Sequence, residues 1–370
     1  MKTVAKARVL VTRFPYHSRW GGEEVHTLVL MRELDKLGIE AFFMGSDPVL
    51  LDAFAKAKFV TQKRWLFFPP VSFWALLGFT LLAPLLFVLS GIYLWRAKKR
   101  YELTAVYMLS FGEKLLMTPW ARWMGLKVLW LEHARIGRWL TANPWRRLYT
   151  WNSKGVRTVV TSRAMLPYIA PLAKHTEAIS CALMLEKIEP LPAELEAFLD
   201  SGFSVGTVAR LTLDKGVDKI AKLVHSKPDM RLVFIGDGPL APLVEKATWS
   251  GQVFWLKSLS RGQLMSLYSK LDLFILGSME FDPFGMVASE AMAMGAPTLI
   301  TNVCGLAFDL HHGKEALIVE PKFTALDKAV KQAMKHPEQM KAMGKRGKGF
   351  VKHHYRLDSM VSAFAQALSK

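Results

Sequence analysis

Cysteine is almost missing from this chain: 370 residues contain two, Cys181 and Cys304. Two distant thiols exclude a disulfide scaffold and a thiolate zinc site, and they fit a reducing compartment. Acidic side chains are also scarce, with 31 Asp+Glu against 49 Lys+Arg and a formal charge of +18. Such a balance points to an anionic partner: nucleic acid, an acidic membrane surface or a phosphorylated small molecule. Low-complexity runs and short internal repeats are lacking, and 51% hydrophobic with 22% charged residues is near the globular average. Disordered, collagen-like and coiled-coil classes are therefore out. No recognised nucleic-acid module accompanies the basic residues, so nucleic acid is the weakest of the three partners. The basic start, Met1 to Arg8, is followed only by Val9-Leu10-Val11 before Arg13. That is far short of a secretory core of ~7–15 apolar residues, so the reading is a cytoplasmic protein.

What the chain does have is one uncharged run of 31 residues, Trp65–Trp95, with Lys63-Arg64 before it and Arg96, Lys98, Lys99 and Arg100 after it. Its apolarity suits a membrane span of ~20 residues. Pro84 is expected to divide it into helical pieces, Val71–Ala83 and Leu85–Trp95, each too short to cross a bilayer of ~30 Å at ~1.5 Å per residue. A kinked continuous helix and a buried core helix are the other two readings. Six of the twelve Trp lie between Trp120 and Trp151, among Arg122, Lys127, Arg135, Arg138, Arg146 and Arg147. Trp beside basic residues is the pattern of an interfacial belt on anionic lipid. The expectation is that segment 66–95 contacts a membrane through Phe73, Trp74, Leu76, Leu77, Phe79, Leu81, Leu82, Leu85, Leu86 and Phe87.

Elsewhere short apolar runs alternate with helical periodicity. Arg8–Thr12, Ala41–Met44, Ala105–Leu109, Lys127–Leu131 and Thr158–Thr161 read as strands of a first sheet. Ser204–Val208, Leu232–Ile235, Val253–Leu256, Leu273–Leu276, Thr298–Ile300 and Leu317–Val319 read as strands of a second. This βαβ alternation predicts an α/β chain of two Rossmann-like, doubly wound domains facing a cleft. The boundaries are 1–187, a linker 188–202 marked by Pro190 and Pro192, 203–345, and a C-terminal helical stretch 346–370 that crosses back to the first domain. A single bilayer crossing at 71–95 would cut the ladder of the first sheet, which argues for an interfacial or re-entrant segment.

In such sheets ligands bind beyond the carboxyl ends of the strands. Trp20-Gly21-Gly22-Glu23 follows the first strand, where two glycines before a helix either admit an anion to backbone N–H groups or make a plain tight turn. Arg210 and Lys215, in the turn after Ser204–Val208, either share a diphosphate or are solvated surface charges. Gly236-Asp-Gly238-Pro-Leu-Ala241 matches the dinucleotide fingerprint, but the next strand ends in Lys257-Ser258 rather than an acid, so a nicotinamide site fails. After Leu273–Leu276, Asp282 precedes a turn and Glu290 lies on the following helix. The N–H groups of Phe284, Gly285 and Met286 open that helix toward a phosphate or sugar hydroxyl, and a carboxylate on it can take both ribose hydroxyls.

The run Val205–Pro321 resembles the donor-binding domain of retaining GT-B glycosyltransferases of family 4. The matching pieces are Arg210 with Lys215-Gly216-Val217-Asp218, Val233-Phe-Ile-Gly-Asp-Gly-Pro239, and Asp282-Pro-Phe-Gly with Glu290-Ala-Met-Ala-Met-Gly-Ala-Pro297. Gly21-Gly22-Glu23 and Trp130-Leu-Glu-His133 match more loosely. The resemblance implies that Arg210 and Lys215 bind the donor diphosphate, Glu290 holds the ribose, and Asp282 with the backbone of Phe284–Met286 holds the sugar. It implies that Gly22, beside Gly21, meets the diphosphate and His133 the donor sugar. It further implies no cofactor and no metal, only a UDP- or GDP-linked sugar as co-substrate, and front-face displacement. Three positions depart from the family: Asp282 stands where a glutamate is usual, Ala209 where a glycine is, and Cys181-Ala182 where Asn-Gly is. The partners expected are a nucleotide sugar, a lipid-linked or glycolipid acceptor and an anionic membrane, with no nucleic acid. The location expected is the cytoplasmic face of a membrane, peripheral or monotopic. The competing reading is a catalytically weak or inactive membrane-docking subunit with the same fold.

Overall fold

The computed structural model describes residues 7–14, 21–70, 72–133, 138–225 and 227–369. Trp20, Arg135 and the chain start lie outside the described residues, and the side chain of Arg138 is likewise not described. The chain divides into two units, Met1–Ser180 with Asp358–Lys370, and Cys181–Leu357.

The first unit holds seven strands: β1 (Arg8–Arg13), β2 (Glu40–Gly45), β3 (Val60–Lys63), β4 (Ala105–Met108), β5 (Lys127–Glu132), β6 (Arg157–Val160) and β7 (Thr176–Ala178). They run parallel in the order β3-β2-β1-β4-β5-β6-β7. The second unit holds β8 (Phe203–Val208), β9 (Met230–Ile235), β10 (Val253–Leu256), β11 (Leu273–Leu276), β12 (Thr298–Thr301) and β13 (Leu317–Val319). These are also parallel, in the order β10-β9-β8-β11-β12-β13. Val9, Leu10 and Val11, like Phe274, Ile275 and Leu276, are all buried because helices cover both faces of a parallel sheet. Strand order reverses between β1 and β4 and again between β8 and β11, and a crevice opens beyond the strand ends at such a reversal.

The stretch read as a linker is partly helical: Ala193–Asp200 forms a helix capped by Pro192, with Leu195 and Leu199 buried. Its two apolar residues four apart give it one inward edge, which outweighs the punctuation of the prolines. At the C-terminus, helix Pro337–His354 belongs to the second unit and helix Leu357–Ser369 passes to the first. There Phe364 packs on His26 and Tyr107.

The long apolar run forms one helix, Phe73–Tyr101, that continues through Pro84. Pro84 sits on the exposed face, so the carbonyl left without its N–H partner is not trapped in the core. With 29 residues the helix is about 44 Å long. It connects β3 to β4, which belong to the same sheet, so a single complete bilayer crossing here would split that sheet.

Phe79, Ala83, Leu86, Ser90, Leu94 and Ala97 form a buried stripe at three- and four-residue spacing. Trp120 covers it so closely that a Cβ at Gly91 would lie 2.6 Å from the indole. Phe79 and Leu86 are therefore core residues and not membrane contacts: Phe79 meets the rings of Phe68 and Trp145. The opposite face leaves Phe73, Trp74, Leu77, Leu81, Leu82 and Leu85 exposed, joined by Val88, Ile92 and Trp95, while Leu76 and Phe87 are half-buried. Only 28% of the most apolar window is buried, which confines the core reading to one stripe.

Candidate functional site

In the second unit the crevice beyond β8 and β11 is built from three loops. The loop after β8 carries Arg210 and Lys215. Gly216 follows at φ +69, where an added Cβ would lie 2.2 Å from the carbonyl of Gly277, so only glycine lets this turn dock on the end of β11. The Met279 N–H donates to the Asp214 carbonyl at 2.7 Å and completes that docking. Lys215 thereby reaches Asp282, with Nζ 2.5 Å from Oδ2 and the lysine side chain 18% exposed. Ser278 Oγ donates to the same oxygen at 3.2 Å. Arg210 is placed differently: it is 66% exposed, and its nearest acid is Asp214 at 3.8 Å.

The Asp282 loop is stapled to the loop after β12. Asp282 N–H donates to Val303 O, Gly305 N–H to Asp282 O and Leu306 N–H to Phe284 O. Gly285 caps helix Met286–Met294 at φ +92, where a Cβ would lie 2.5 Å from Cys304 Sγ. This fixes the start of the helix, whose first N–H groups have no partner within it and make it a site for negative charge.

Glu290, one turn further along that helix, is not beside Lys215. It is buried and paired with Arg261, Nη2 to Oε1 at 2.8 Å, while Arg261 Nε meets Glu186 at 2.9 Å. Burial raises the Glu290 carboxyl above its ordinary value, and Arg261 opposes that shift. Tyr268, whose buried hydroxyl has no hydrogen-bond partner among the described residues, senses the same carboxylate. Arg261 escaped the sequence reading because nothing in its helix start, Ser260-Arg-Gly-Gln263, refers to a residue 29 positions away.

The glycine turn after β9 serves the same crevice. A Cβ at Gly236 would lie 1.9 Å from Ala209 O, and one at Gly238 would lie 2.6 Å from Leu211 O. The fingerprint-like glycines thus permit a close backbone crossing beneath the Arg210 loop, which is the plain-turn reading.

In the first unit the crevice beyond β1 and β4 is a cavity of about 260 Å³. Gly21, extended, caps helix Gly22–Lys36, and Glu23 in its first turn lines the cavity together with His133 at the end of β5. The structure therefore brings the two looser sequence matches to one place. Arg13 ends β1 and is held by three acids, Glu23 at 2.5 Å, Glu24 at 3.1 Å and Asp47 at 2.8 Å. Lys114 and Glu132 form a buried pair at 2.7 Å, and the Tyr149 hydroxyl donates to the same Glu132 oxygen at 2.8 Å. His26 packs edge-on against His133 at 4.9 Å. Burial, with some help from His26, Arg13 and Lys114, pulls the His133 pKa well below its usual value, so its imidazole is neutral. His133 Nε2 has no hydrogen-bond partner among the described residues.

Glu113 is a buried carboxyl behind this cavity. Its Oε1 accepts from Thr12 Oγ1 at 3.0 Å, Leu109 N–H at 2.7 Å and Ser110 N–H at 2.8 Å. Burial outweighs these bonds and pushes its pKa up to about 8. A carboxyl raised in the folded state is protonated there while the unfolded chain has already ionised, so it lowers stability as pH climbs from ~4.5 to ~8. Glu113→Gln keeps the accepting oxygen and removes the titration. Its thermal midpoint should fall less than the wild type's between pH 5 and 8, as read by circular dichroism. An unchanged slope contradicts the assignment.

Comparison with known proteins bears on the fold and on the family of the second unit. Residues 197–350 match the family model "Glycosyl transferases group 1". N-acetyl-alpha-D-glucosaminyl L-malate synthase of Bacillus anthracis is 31% identical over 154 residues, 40% of this chain and 39% of that protein. The curated relatives are matched over half of their own length or less. Among solved structures, a glycosyltransferase from Rickettsia africae ESF-5 superposes with a TM-score of 0.80 at 16% identity, over 98% of both chains. Anabaena Alr3699/HepE in complex with UDP gives 0.78 at 15% identity, over 98% of this chain and 99% of that one. The two parallel sheets with their helices are the two Rossmann-like domains of the GT-B fold.

Proposed function

We propose that the protein is a retaining glycosyltransferase that moves a sugar from a nucleotide-linked donor to a lipid-linked or glycolipid acceptor at an anionic membrane surface. The observation that carries the reading is the Lys215–Asp282 contact at the β8/β11 reversal, inside the stretch that matches the family model. A cation there neutralises a diphosphate as it leaves, the charge that grows most in the transition state. Arg210, exposed at the rim, closes on the same group. The N–H groups opening helix Met286–Met294, with Phe284 and Gly285 before it, take the sugar's hydroxyls beside Asp282. Glu290, oriented by Arg261, takes the ribose. The sequence resemblance also assigns Gly21, Gly22 and His133 to donor binding.

In front-face displacement the acceptor oxygen bonds to the anomeric carbon on the side from which the phosphate oxygen departs. The departing oxygen takes the acceptor's proton, so no protein base is needed and the configuration is retained. Two cations do the work a divalent ion does elsewhere, which makes the reaction metal-independent.

The membrane part rests on the helix Phe73–Tyr101. Its exposed apolar face ends in a cluster of cations: Arg96, Lys99 and Arg100 are exposed on its last turns, and exposed Lys63 and Arg64 lie at the same end, Arg64 5.5 Å from the Tyr93 ring. Lys63 stands 5.4 Å from the Trp65 ring and Lys99 4.2 Å from that of Trp95, a pairing of cation and indole that suits the headgroup layer.

Calorimetry with UDP and GDP in the presence of EDTA tests the donor site: binding of at least one, lost in Lys215→Ala, supports the reading, and binding of neither opposes it. Arg261→Ala should leave a buried carboxylate without its partner. It should lower stability by about 1–3 kcal/mol and raise the donor KM with a smaller change in kcat. Arg261→Lys should restore part of both, and an unchanged KM would remove Arg261 from the site.

A further inference from the structure

Asp282 is held from three directions, and the hold reaches only one of its two carboxylate oxygens. Its backbone is stapled to the loop after β12, where it also forms an isolated parallel bridge with Cys304. Lys215 Nζ stands 2.5 Å from Oδ2, and Ser278 Oγ donates to the same oxygen at 3.2 Å. Oδ1 accepts no hydrogen bond among the described residues and keeps access to solvent in a side chain that is 11% exposed.

The two donors on Oδ2 differ in how firmly they are placed. Ser278 lies just past the end of β11 and is fully buried, as is Thr301, whose Oγ1 donates to the Ser278 carbonyl at 2.6 Å. The Gly277 carbonyl just before it is the surface on which Gly216 docks, so Ser278 and the Lys215 loop are both built on one strand end. A buried hydroxyl has one proton to give, and here it goes to Asp282. Lys215, in contrast, carries its ammonium on a flexible four-carbon stem.

That difference matters for the carboxylate. The last torsion of an aspartate is broad, so its plane swings unless something fixes it. Lys215 alone would follow the swing, and an arriving diphosphate draws its ammonium away. A short buried serine does neither. Resting on the glycosyltransferase reading, we propose that Ser278 is the positioning residue of the donor-sugar site: it holds Oδ2 of Asp282 so that Oδ1 alone faces a sugar hydroxyl, and it keeps that aim when Lys215 turns to the diphosphate. The leaving group and the sugar are thereby served by separate partners of one acid, and Asp282 takes one hydroxyl through one oxygen.

The test compares two ligands that differ only by the sugar. Calorimetry on the full chain would measure Kd for UDP and GDP and for their glucose, galactose, mannose and N-acetylglucosamine derivatives, with melting curves as the control for folding. Ser278→Ala should leave Kd for the nucleoside diphosphate within two-fold and raise Kd for the preferred nucleotide sugar five-fold or more. In an Asp282→Asn background the same substitution should change the nucleotide-sugar Kd less than two-fold, because Ser278 acts only through that carboxylate. Thr301→Val removes the bond to the Ser278 carbonyl and leaves the Ser278 side chain in place. It should repeat the pattern at two-fold or more, which keeps the test open if Ser278→Ala is unstable.

A merely structural serine would weaken both ligands alike, and that result overturns the proposal. So does a nucleotide-sugar Kd that Ser278→Ala leaves unchanged, or a full additional loss in the Asp282→Asn background. A wild type that binds neither UDP nor GDP removes the donor site itself and this proposal with it. Failure with nucleoside diphosphate binding intact removes the role of Ser278 alone.

Discussion

On the proposed reading, Lys215→Ala should lower kcat/KM for sugar transfer by about 10²–10³-fold while the protein stays folded, because the variant loses the cation assigned to the departing diphosphate. The position explains the size. Lys215 Nζ stands 2.5 Å from Asp282 with the side chain mostly shielded, so its charge acts where water screens it little. Arg210→Ala has a smaller effect, about ten-fold, since that guanidinium is 66% exposed. Asp282→Asn frees Lys215 of its acid and should remove the contact proposed for the sugar. Lys215 and Asp282 touch, so the double variant loses less than the two single losses combined. Steady-state kinetics on the wild type and the four variants, with melting curves as the control for folding, checks this. Equal activity of Lys215→Ala and wild type would remove the diphosphate role.

The second large effect is on membrane affinity. Replacing Phe73, Trp74, Leu81, Leu85 and Val88 by serine or glutamine should abolish sedimentation with anionic liposomes and leave the melting curve nearly unchanged. All five are more than half exposed, and none belongs to the buried stripe. At about 1 kcal/mol for each half-immersed side chain, the set contributes about 5 kcal/mol, a loss of roughly 10³–10⁴-fold in partitioning. Two controls separate lipid contact from core packing. Phe79→Ser should unfold or destabilise the protein instead, and wild-type binding should weaken with salt as the flanking cations are screened. A wild type that ignores anionic liposomes at low salt contradicts the membrane assignment.

Much of the fold could be read because parallel strands buried on both faces appear as unbroken apolar runs, as in Leu273-Phe-Ile-Leu276 and Val253-Phe-Trp-Leu256. The two strands that escaped, Val60–Lys63 and Thr176–Ala178, are the edges of their sheet. An edge has one ladder neighbour and one open side, so polar Thr, Gln, Lys and Glu sit there and no apolar run marks it. The long helix failed in a different way. Its sequence is apolar all round, so no polar face showed which residues point inward, and Phe79 and Leu86 were assigned to the wrong side.

The candidate site was legible where a short segment carries it. Lys215-Gly216, Asp282-Pro-Phe-Gly285 and Glu290 each lie within one loop or helix turn. Pairings that depend on tertiary approach were invisible: Arg261 with Glu290, the three acids on Arg13, and Lys114 with Glu132.

The most direct measurement incubates the protein and membrane lipids with a panel of radiolabelled UDP- and GDP-sugars and follows label into the lipid fraction. The account predicts incorporation from at least one donor, without added metal, that Lys215→Ala abolishes. No incorporation from any donor, with Asp282 intact or after Asp282→Glu, would contradict it and leave a membrane-docking subunit with a silent site.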